Sequence, residues 1–153
     1  MINTDITQLI AAHHARIASA IECGSGWEIW FQVEMALLMR GTGRNVAREL
    51  PYPNTTSRLD LGVQERLPNG NVENYGIEIK VESATETAGG AFMRGVQADI
   101  TKILAYPPQN GRWVIGIGYS VPAKQAMLAC AGNPANHAIY HNTPTIGILV
   151  VSV

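Results

Sequence analysis

The fold is decided by residues 58–83, which read RLDLGVQERLPNGNVENYGIEIKVES. Side chains on a β-strand point alternately to its two faces. Within residues 75–83 this alternation separates an apolar face from a charged face that carries Glu78, Lys80 and Glu82. Residues 58–64 alternate in the same way and place Asp60 on the face opposite Leu59, Leu61 and Val63. The pattern predicts two neighbouring strands with acidic side chains on a shared face.

The segment that joins the two strands sets their register. Its Pro-Asn-Gly sequence at positions 68–70 suits a type I turn followed by a left-handed residue, which makes a three-residue hairpin loop. Counting back from that loop sets Asp60 opposite Glu78 and requires Gly70 to be left-handed. A two-residue Asn-Gly turn would instead pair Asp60 with Ile79 and mix the polar and apolar faces. The three-residue loop is therefore the self-consistent interpretation.

Two carboxylates directly opposed across a strand pair repel each other by roughly 0.2–1 kcal/mol, and by more when they are removed from water. A positive charge must offset this repulsion. Lys80 is one candidate, and a divalent metal is a better one because hard cations such as Mg²⁺ bind carboxylate oxygens. An acidic pair and a lysine around a metal suit phosphodiester hydrolysis. The metal polarises the phosphate and activates a water, while the lysine stabilises developing charge.

Asp60, followed by Glu78-Ile79-Lys80 on the next strand, resembles the D…(D/E)-x-K signature of the PD-(D/E)XK (restriction-endonuclease-like) nuclease superfamily. The chain departs from the signature at Leu59, which stands in place of proline. The resemblance implies Asp60 and Glu78 as ligands of Mg²⁺ or Mn²⁺, with the backbone carbonyl of Ile79 as a further ligand. It implies that Lys80 lies beside the attacking water. It also implies nucleic acid as the substrate, with DNA ahead of RNA, although no residue here chooses between them.

The length of 153 residues fits one domain, so we treat residues 1–153 as a single nuclease-like domain. A hydrophobic content of 46% with 15% charged residues is typical of a compact chain rather than a disordered one. The net charge of −1 argues against a surface that coats nucleic acid broadly, and is compatible with a local basic patch. Cys23 and Cys130 fit no metal spacing and predict reduced thiols. Without signal-peptide features or an apolar run of ~20 residues, we expect a cytoplasmic protein with no membrane partner.

Apolar residues at helical spacing predict one helix over residues 5–22 and a second over residues 27–40. Ser25 and Glu28 have the spacing of a capping box at the start of the second helix. The predicted apolar face of that helix consists of Trp30, Val33, Leu37 and Leu38, with Phe31 and Met35 flanking it. Glu34 lies within this apolar helix, either exposed on its outer side or directed at the acidic face. The resemblance implies the second role, a catalytic one, for Glu34, with Glu28 as the alternative.

Residues 45–51 predict a short strand, on which Glu49 is either a solvated residue or, as the resemblance implies, part of the site. Several arginines lie close in sequence to the predicted acidic face and are candidates for phosphate contacts, namely Arg40, Arg44, Arg48, Arg58 and Arg66. The alternative is that these arginines form a solvated surface.

Residues 92–104 predict a helix on which Arg94, Gln97 and Thr101 share one side. The resemblance implies that Arg94 and Gln97 face the metal site, and the alternative is that both are solvated. Asp99 and Lys102 are expected to form a surface pair that contributes little to stability.

The remaining segments complete the predicted order. Residues 84–90 predict a flexible polar connection, and residues 132–144 predict a loop that holds His137 and His141. We expect structural or surface roles for these histidines, because a metal-binding H-x-x-x-H pair needs a helix. The other elements are a buried strand over residues 112–119, a helix over 122–131 and a buried strand over 145–153.

The predicted order α-α-β-β-β-α-β-α-β describes an α/β fold with a mixed sheet, in which an antiparallel β-meander is followed by a parallel crossover strand. Helices flank this sheet. By resemblance, it is a restriction-endonuclease-like αβββαβ core with an extra N-terminal helix and a C-terminal αβ unit.

Three functions are compatible with this pattern. A metal-dependent nuclease is favoured because Asp60, Glu78 and Lys80 are all present and in register. The second is a binding or regulatory module of a larger complex that kept the fold and lost the chemistry. The third is a structural subunit in which Asp60 and Lys80 form a simple cross-strand salt bridge. The expected partners are nucleic acid and, beside it, a second copy, a partner subunit or an immunity protein.

Overall fold

The computed structural model describes residues 1–83, 90–107 and 109–153. The helices in these residues are α1 (Asn3–Ala11), α2 (His14–Glu22), α3 (Trp27–Gly41), α4 (Gly90–Leu104) and α5 (Val121–Ala131), with a short 3-10 turn at Pro134–Asn136. The strands are β1 (Asn45–Pro51), β2 (Arg58–Arg66), β3 (Val72–Val81), β4 (Gly111–Gly118), β5 (Ala138–Asn142) and β6 (Gly147–Ser152). The predicted connection over residues 84–90 lies outside the described residues, apart from Gly90, which begins α4.

The strands form one mixed sheet in the order β1-β2-β3-β4-β6-β5. β1, β2 and β3 are antiparallel neighbours, and β4 runs parallel to β3 after the intervening helix α4. β6 is antiparallel to β4, and β5 pairs with β6 at the edge. The predicted α/β class with a mixed sheet flanked by helices is confirmed.

The hairpin between β2 and β3 has the predicted register. Arg66 pairs with Val72 and Leu61 pairs with Ile77, so the next step along both strands places Asp60 beside Glu78. The loop is closed by hydrogen bonds and has Gly70 in the left-handed region with φ of 85°. Proline, asparagine and glycine in this order were sufficient to define the loop because each has a distinct backbone preference.

The sheet separates two apolar layers. Ile77 and Ile79 of β3 point into the layer formed with α1, α2 and α3. The opposite face is covered by α4 and α5, whose buried side chains include Phe92 and Met127. Glu78 points to this second face, where it meets side chains from α4. The alternation predicted for β3 therefore sorts its acidic and apolar side chains into different layers.

Strand β2 changes face at Asp60. Leu61 and Val63 belong to the layer of α1–α3, whereas Leu59 packs in the layer of α4 and α5, which corrects the expectation that all three share one face. The neighbouring strand β1 departs from regular strand geometry at the same level of the sheet. Glu49 lies opposite Asp60 in the β1–β2 register and has a left-handed φ of 57°. A left-handed residue interrupts the pleat, so side chains beyond it point to the other face.

The single helix predicted over residues 5–22 is two helices. The chain turns at His13, whose φ of −115° and ψ of 14° lie outside helix geometry. The turn allows α1 to pack on β5 and β6 while α2 packs on α3. Ile10 of α1 and Ile17 of α2 are both fully buried. One straight helix could not pack on both surfaces, so it would leave one of these two side chains exposed. Helical spacing alone does not reveal this change of direction.

The face predicted for α3 is wrong in part, because Trp30 and Leu38 are half-buried against the core as expected but the other two residues are not. Its most deeply buried side chains lie four residues apart, namely Trp27, Phe31, Met35 and Met39, while Val33 and Leu37 are exposed. Because α3 is apolar on nearly every side, spacing could not choose between faces. The predicted Ser25 cap is also wrong, since the N-cap is Gly26, with φ of 90° and no side-chain hydrogen bond.

The predicted loop over residues 132–144 contains the edge strand β5. Its pairing with β6 runs from Ala138–Val151 to Asn142–Gly147. The segment carries few apolar residues because it lies at the edge of the sheet, so it lacked the signal of a buried strand. Cys23 and Cys130 are free thiols, and neither is buried, since Cys23 is exposed and Cys130 is half-buried. Among the described residues, no helix has the length and apolar character needed to cross a membrane.

The two sides of α3 should respond very differently to truncation. Met35 is fully buried, so Met35→Ala should lower the free energy of unfolding by about 2–5 kcal/mol. Leu37 is 54% exposed, so Leu37→Ala should change it by no more than about 0.5 kcal/mol. Urea unfolding of both variants checks the assignment. A large loss for Leu37→Ala would show that this side of the helix is covered in solution.

Candidate functional site

Glu78 carries a carboxylate into the interior of the protein. Its side chain is only 1% exposed, and both of its oxygens accept hydrogen bonds. The Tyr52 hydroxyl donates to Oε1 at 2.6 Å, and the Lys102 ammonium donates to Oε2 at 2.9 Å. A buried carboxylate is tolerated only with partners of this kind, because its removal from water is costly.

Asp60 lies beside Glu78 and uses a different partner. Its Oδ2 accepts a hydrogen bond of 2.7 Å from the backbone N–H of Ile79, so the side chain takes the place of a strand-to-strand bond. Burial and the negative charge of Glu78 raise the pKa of Asp60 to about 7, although the Ile79 hydrogen bond and the charge of Lys102 act in the opposite direction. Asp60 and Glu78, hereafter the acid pair, therefore repel each other as the register predicts.

Lys102 of α4 is the main positive charge on the acid pair. Its ammonium binds Glu78, donates to the carbonyl of Arg58 at 2.9 Å and lies 5.3 Å from the centre of the Tyr52 ring. Burial lowers the pKa of Lys102, but the hydrogen bond and charge of Glu78 outweigh it and leave the pKa above its ordinary value. The expected surface pair between Lys102 and Asp99 is therefore corrected, because Lys102 is directed at the sheet.

Two further acids surround the second lysine. Lys80 lies on the same side of β3 as Glu78, and its ammonium is 3.5 Å from Oε2 of Glu28 at the start of α3. Burial and the charge of Glu78 raise the pKa of Asp99 to about 6, while Lys102 and Lys80 lower it. Asp99 thus lies within the electrostatic reach of both lysines, and the site extends from the acid pair to Glu28.

One side of helix α4 faces Lys80 and the acid pair. Gly95, Asp99 and Lys102 follow each other at intervals of four and three residues, which aligns them along one side of a helix. A Cβ atom on Gly95 would lie 2.7 Å from Cε of Lys80, so the glycine allows the lysine side chain to pass against the helix. The helix and β3 are therefore fitted to each other at the lysine.

The structure does not bring Glu34 to the acid pair. Glu34 is buried, and its two oxygens are bound by Nε and Nη2 of Arg16 at 2.8 and 3.0 Å. α3 packs on the sheet face to which Ile77 and Ile79 point, opposite to Glu78. Of the two glutamates considered from the sequence, Glu28 is the one that reaches the site, where it contacts Lys80.

The two residues expected to face the site from α4 do not do so. Arg94 and Gln97 are exposed and lie on the opposite side of the helix from its buried residues, which are Phe92, Val96 and Ile103. That side of α4 faces away from the acid pair. The helix register that buries the apolar residues directs Asp99 and Lys102 inward instead, which corrects the implied roles of Arg94 and Gln97.

Arg58 and Glu49 lie at the edge of the site. The Arg58 guanidinium donates to the carbonyl of Glu49 at 2.9 Å, and the Arg58 carbonyl accepts from Lys102. Three of the other candidate arginines make contacts within the fold. Arg48 donates to Gln32 of α3, Arg44 binds Glu65, and Arg40 donates to the carbonyl of Val46.

Sequence reasoning missed Tyr52, Asp99 and Lys102 as members of the site. Tyr52 lies in a Pro-Tyr-Pro segment that predicted only a strand end, yet it is buried and holds Glu78. A signal for the other two was present in the spacing of Asp99 and Lys102 next to the apolar side of α4. The sequence does not show how α4 is rotated about its axis against the sheet, so this spacing predicts a surface pair equally well.

Glu82 continues the charged face of β3 but serves the fold. It is fully buried, and its Oε2 accepts hydrogen bonds from the backbone N–H groups of Tyr119 and Ser120 at 2.7 and 2.9 Å. These groups precede the first turn of α5, where a carboxylate stabilises the helix. Glu82 therefore attaches α5 to the end of β3.

The donors of the acid pair suit a hard divalent cation. Asp60 and Glu78 offer carboxylate oxygens, and Mg²⁺ is commonly held by one or two carboxylates with water completing its shell. Within the described residues, no group of three or more His, Cys, Asp or Glu side chains is arranged to hold a metal. The charges among the described residues nevertheless favour a cation, because the four carboxylates of Asp60, Glu78, Asp99 and Glu28 outnumber the two ammonium groups of Lys80 and Lys102 that act on them.

Comparison of the chain with models of protein families, with curated proteins and with solved structures found no match in any of the three.

The raised pKa of Asp60 predicts a specific dependence of stability on pH. Between about pH 4 and pH 7, the folded metal-free protein holds a proton on Asp60 that the unfolded chain has lost, so stability falls as the pH rises. Asp60→Asn keeps an oxygen for the Ile79 N–H and has no charge. It should therefore be more stable than wild type at pH 8 by at least about 1 kcal/mol, or roughly 2–4 °C in Tm.

Thermal unfolding in EDTA from pH 4.5 to pH 8 measures the difference between Asp60→Asn and wild type, which should grow across this range. Glu22→Gln removes an exposed acid and is the control, for which the difference should stay constant. A difference for Asp60→Asn that does not change with pH would contradict the repulsion within the acid pair.

Proposed function

We propose that the protein is a magnesium-dependent nuclease that hydrolyses phosphodiester bonds in nucleic acid, with DNA as the first substrate to test. The observation that carries the proposal is the acid pair: two adjacent carboxylates, one of them 1% exposed, with a lysine two residues along the same strand. A structural role alone gives no reason to place Asp60 beside a buried Glu78, since their repulsion destabilises the fold.

The roles follow from the donors at the site. Asp60 and Glu78 are the proposed ligands of Mg²⁺ or Mn²⁺, with the carbonyl of Ile79 as a further ligand. A bound ion of this kind supplies Lewis-acid polarisation of the phosphate and a water of lowered pKa. Lys80 stabilises the charge that develops on the phosphate oxygens, and Tyr52 orients Glu78 through their hydrogen bond.

The order of the elements supports membership of the PD-(D/E)XK superfamily. The helix α3 is followed by the antiparallel strands β1, β2 and β3, the crossover helix α4 and the parallel strand β4. Asp60 lies on β2, and Glu78 and Lys80 lie on β3 in the register of that signature. We propose that α1 and α2 are additions before this core and that α5, β5 and β6 are additions after it.

Lys80→Ala tests the chemistry. Lysine contributes charge in the transition state, so the variant should cut nucleic acid about 10²–10³-fold more slowly while keeping its fold and its affinity for metal. The assay incubates purified protein with plasmid, single-stranded DNA and RNA in Mn²⁺, with EDTA as the negative control. Lys124→Ala on α5 removes a lysine outside the site and should cut at the wild-type rate.

If wild type cuts none of these substrates, even with a second copy or partner subunit present, the enzyme proposal fails. If wild type and Lys80→Ala cut equally well, the protein is a nuclease whose active site lies elsewhere.

A second proposal, a binding or regulatory module that kept the fold, has an observation of its own. Both oxygens of Glu78 are already bound within the protein, and Lys80 contacts Glu28. The site is therefore closed by internal ion pairs, as expected of a fold that no longer needs a metal. Binding of Mn²⁺ distinguishes the two proposals. Only in the nuclease does a metal ion bind Glu78, and there it must displace the Lys102 ammonium from Oε2.

Lys102→Met should uncover this competition. The variant lacks the charge that occupies Oε2 of Glu78, so the metal-free protein should lose about 1–3 kcal/mol of stability. Its affinity for Mn²⁺ should rise by roughly ten- to a hundredfold, because the metal no longer displaces a charge-assisted hydrogen bond. Titration calorimetry measures the affinity, and thermal unfolding with and without metal measures the stability.

Asp60→Ala is the matched control, since it removes a proposed ligand and should abolish binding of Mn²⁺. Equal affinities in wild type and Lys102→Met would rule out the competition while leaving the metal site. Absence of binding in both proteins would favour the module over the nuclease.

A further inference from the structure

A groove of about 350 Å³ lies on the sheet face that carries the acid pair. α4 packs mainly against β3 and β4 and reaches β2 only at its first residues, Arg58 and Leu59, so the groove is lined by β1, by the later part of β2 and by residues that follow α4. The floor of the groove contains Ala47 of β1, Gly62 of β2 and the side chain of Leu50. Its walls carry the amide side chains of Asn45, Gln64, Asn74 and Asn110 together with Tyr106.

The lining of this amide groove is neutral. Among the described residues, no Asp, Glu, Lys, Arg or His side chain lines it, so it offers neither a cation for a phosphate nor an anion for an amine. Amides provide hydrogen-bond donors and acceptors at once. The floor is apolar because the Leu50 side chain packs directly over Gly62, and Ala47, the pair partner of Gly62 on β1, has only a methyl group. The matching ligand is neutral and planar, with polar edges and apolar faces.

A nucleobase has these properties. Asn and Gln side chains bind the edges of bases, and aromatic rings such as Tyr106 stack on their faces. A volume of about 350 Å³ lies at the lower end of small-ligand sites, which span about 300–1,000 Å³. It accommodates one nucleoside and excludes a stacked base pair. A base that enters the groove must therefore be unpaired.

The amide groove and the acid pair lie on the same face of the sheet, with the buried Tyr52 side chain between them. Asn74 and Glu78 lie on the same face of β3, four residues or about 13 Å apart. Tyr106 at the rim packs against Tyr52, with 5.0 Å between ring centres, and Tyr52 donates to Glu78. A strand whose phosphate lies at the acid pair passes Tyr52 and Tyr106 before it reaches the amides.

We propose that the amide groove binds an unpaired nucleobase of the strand whose phosphodiester lies at the acid pair. This inference rests on the proposed nuclease function and names its substrate as single-stranded or locally unpaired nucleic acid. The groove then recognises the base at one end of the sheet face, and the acid pair acts on the phosphate at the other end.

The test measures binding of fluorescent oligonucleotides by anisotropy in EDTA, where no cutting occurs. Ala47→Phe fills the floor from an exposed position on the edge strand, and Gln64→Ala removes an amide. Each should weaken binding of a single-stranded oligonucleotide by roughly tenfold. Ala129→Phe and Gln125→Ala make the same changes on exposed positions of α5 and should leave binding unchanged. Thermal unfolding of all four variants confirms that they are folded.

An abasic oligonucleotide of equal length keeps the phosphates and lacks the bases. Wild type should bind it about tenfold more weakly, and Ala47→Phe should cause no further loss. Equal binding of the base-bearing strand by Ala47→Phe, Gln64→Ala and their controls would overturn the groove as a base site, even if the protein cuts DNA. Failure of wild type to bind or cut any oligonucleotide would overturn the nuclease function, and the groove proposal with it.

Discussion

The burial of Glu78 next to Asp60 constrains most of the structure around it. A carboxylate at 1% exposure needs hydrogen bonds and positive charge, and both come from segments distant in sequence, through Tyr52 and Lys102. Helix α4 must therefore cross the sheet with Lys102 above Glu78, and the end of β1 must place Tyr52 beside it. Glu78 thus fixes the position of both segments. If Tyr52 or Lys102 moved away, the buried carboxylate would lose a partner and the fold would be destabilised.

The sheet gives this cluster a defined orientation. Apolar residues of β3 hold α1–α3 on one face, so all the ionisable groups of the site are sorted to the other, with Glu28 reaching it only because it lies at the very start of α3. At Asp60 the sheet departs from regular pairing: Glu49 is left-handed, Leu59 changes layer, and the Asp60 carboxylate bonds to the Ile79 backbone. The strain of the left-handed residue coincides with the point where the two carboxylates meet, as is common at functional sites.

Local chemistry explains which parts of the fold were predictable. The hairpin followed from three adjacent residues and the alternation on either side, because a register shift by one would have paired Asp60 with Ile79 and mixed the polar and apolar faces. The face of α3 was not predictable, since Val33 and Leu37 are as apolar as Phe31 and Met35 and only the packing of α1, α2 and the sheet decides between them. Strand β5 was missed for the opposite reason. Its strand-forming residues are only Ile139 and Tyr140 in a segment otherwise rich in Asn, Pro and His, so the pattern was too short to indicate a strand, and pairing with the buried β6 decides it.

Some residues of the candidate site could likewise be predicted from local sequence, and others could not. Asp60, Glu78 and Lys80 lie on two strands joined by a short loop, so their proximity is a property of the hairpin and could be predicted from it. Lys102 and Asp99 depend on how α4 is rotated against β3, which Phe92, Val96 and Ile103 settle by being buried together. That rotation directs Arg94 and Gln97 to solvent and brings a second lysine to the acid pair. Because Lys102 neutralises Glu78, Lys80 is left to Glu28 and Asp99 at the partly exposed end of the cluster. The contact of 3.5 Å between Lys80 and Glu28 is longer than the contact of 2.9 Å between Lys102 and Glu78, so Lys80 is the less tightly held of the two lysines.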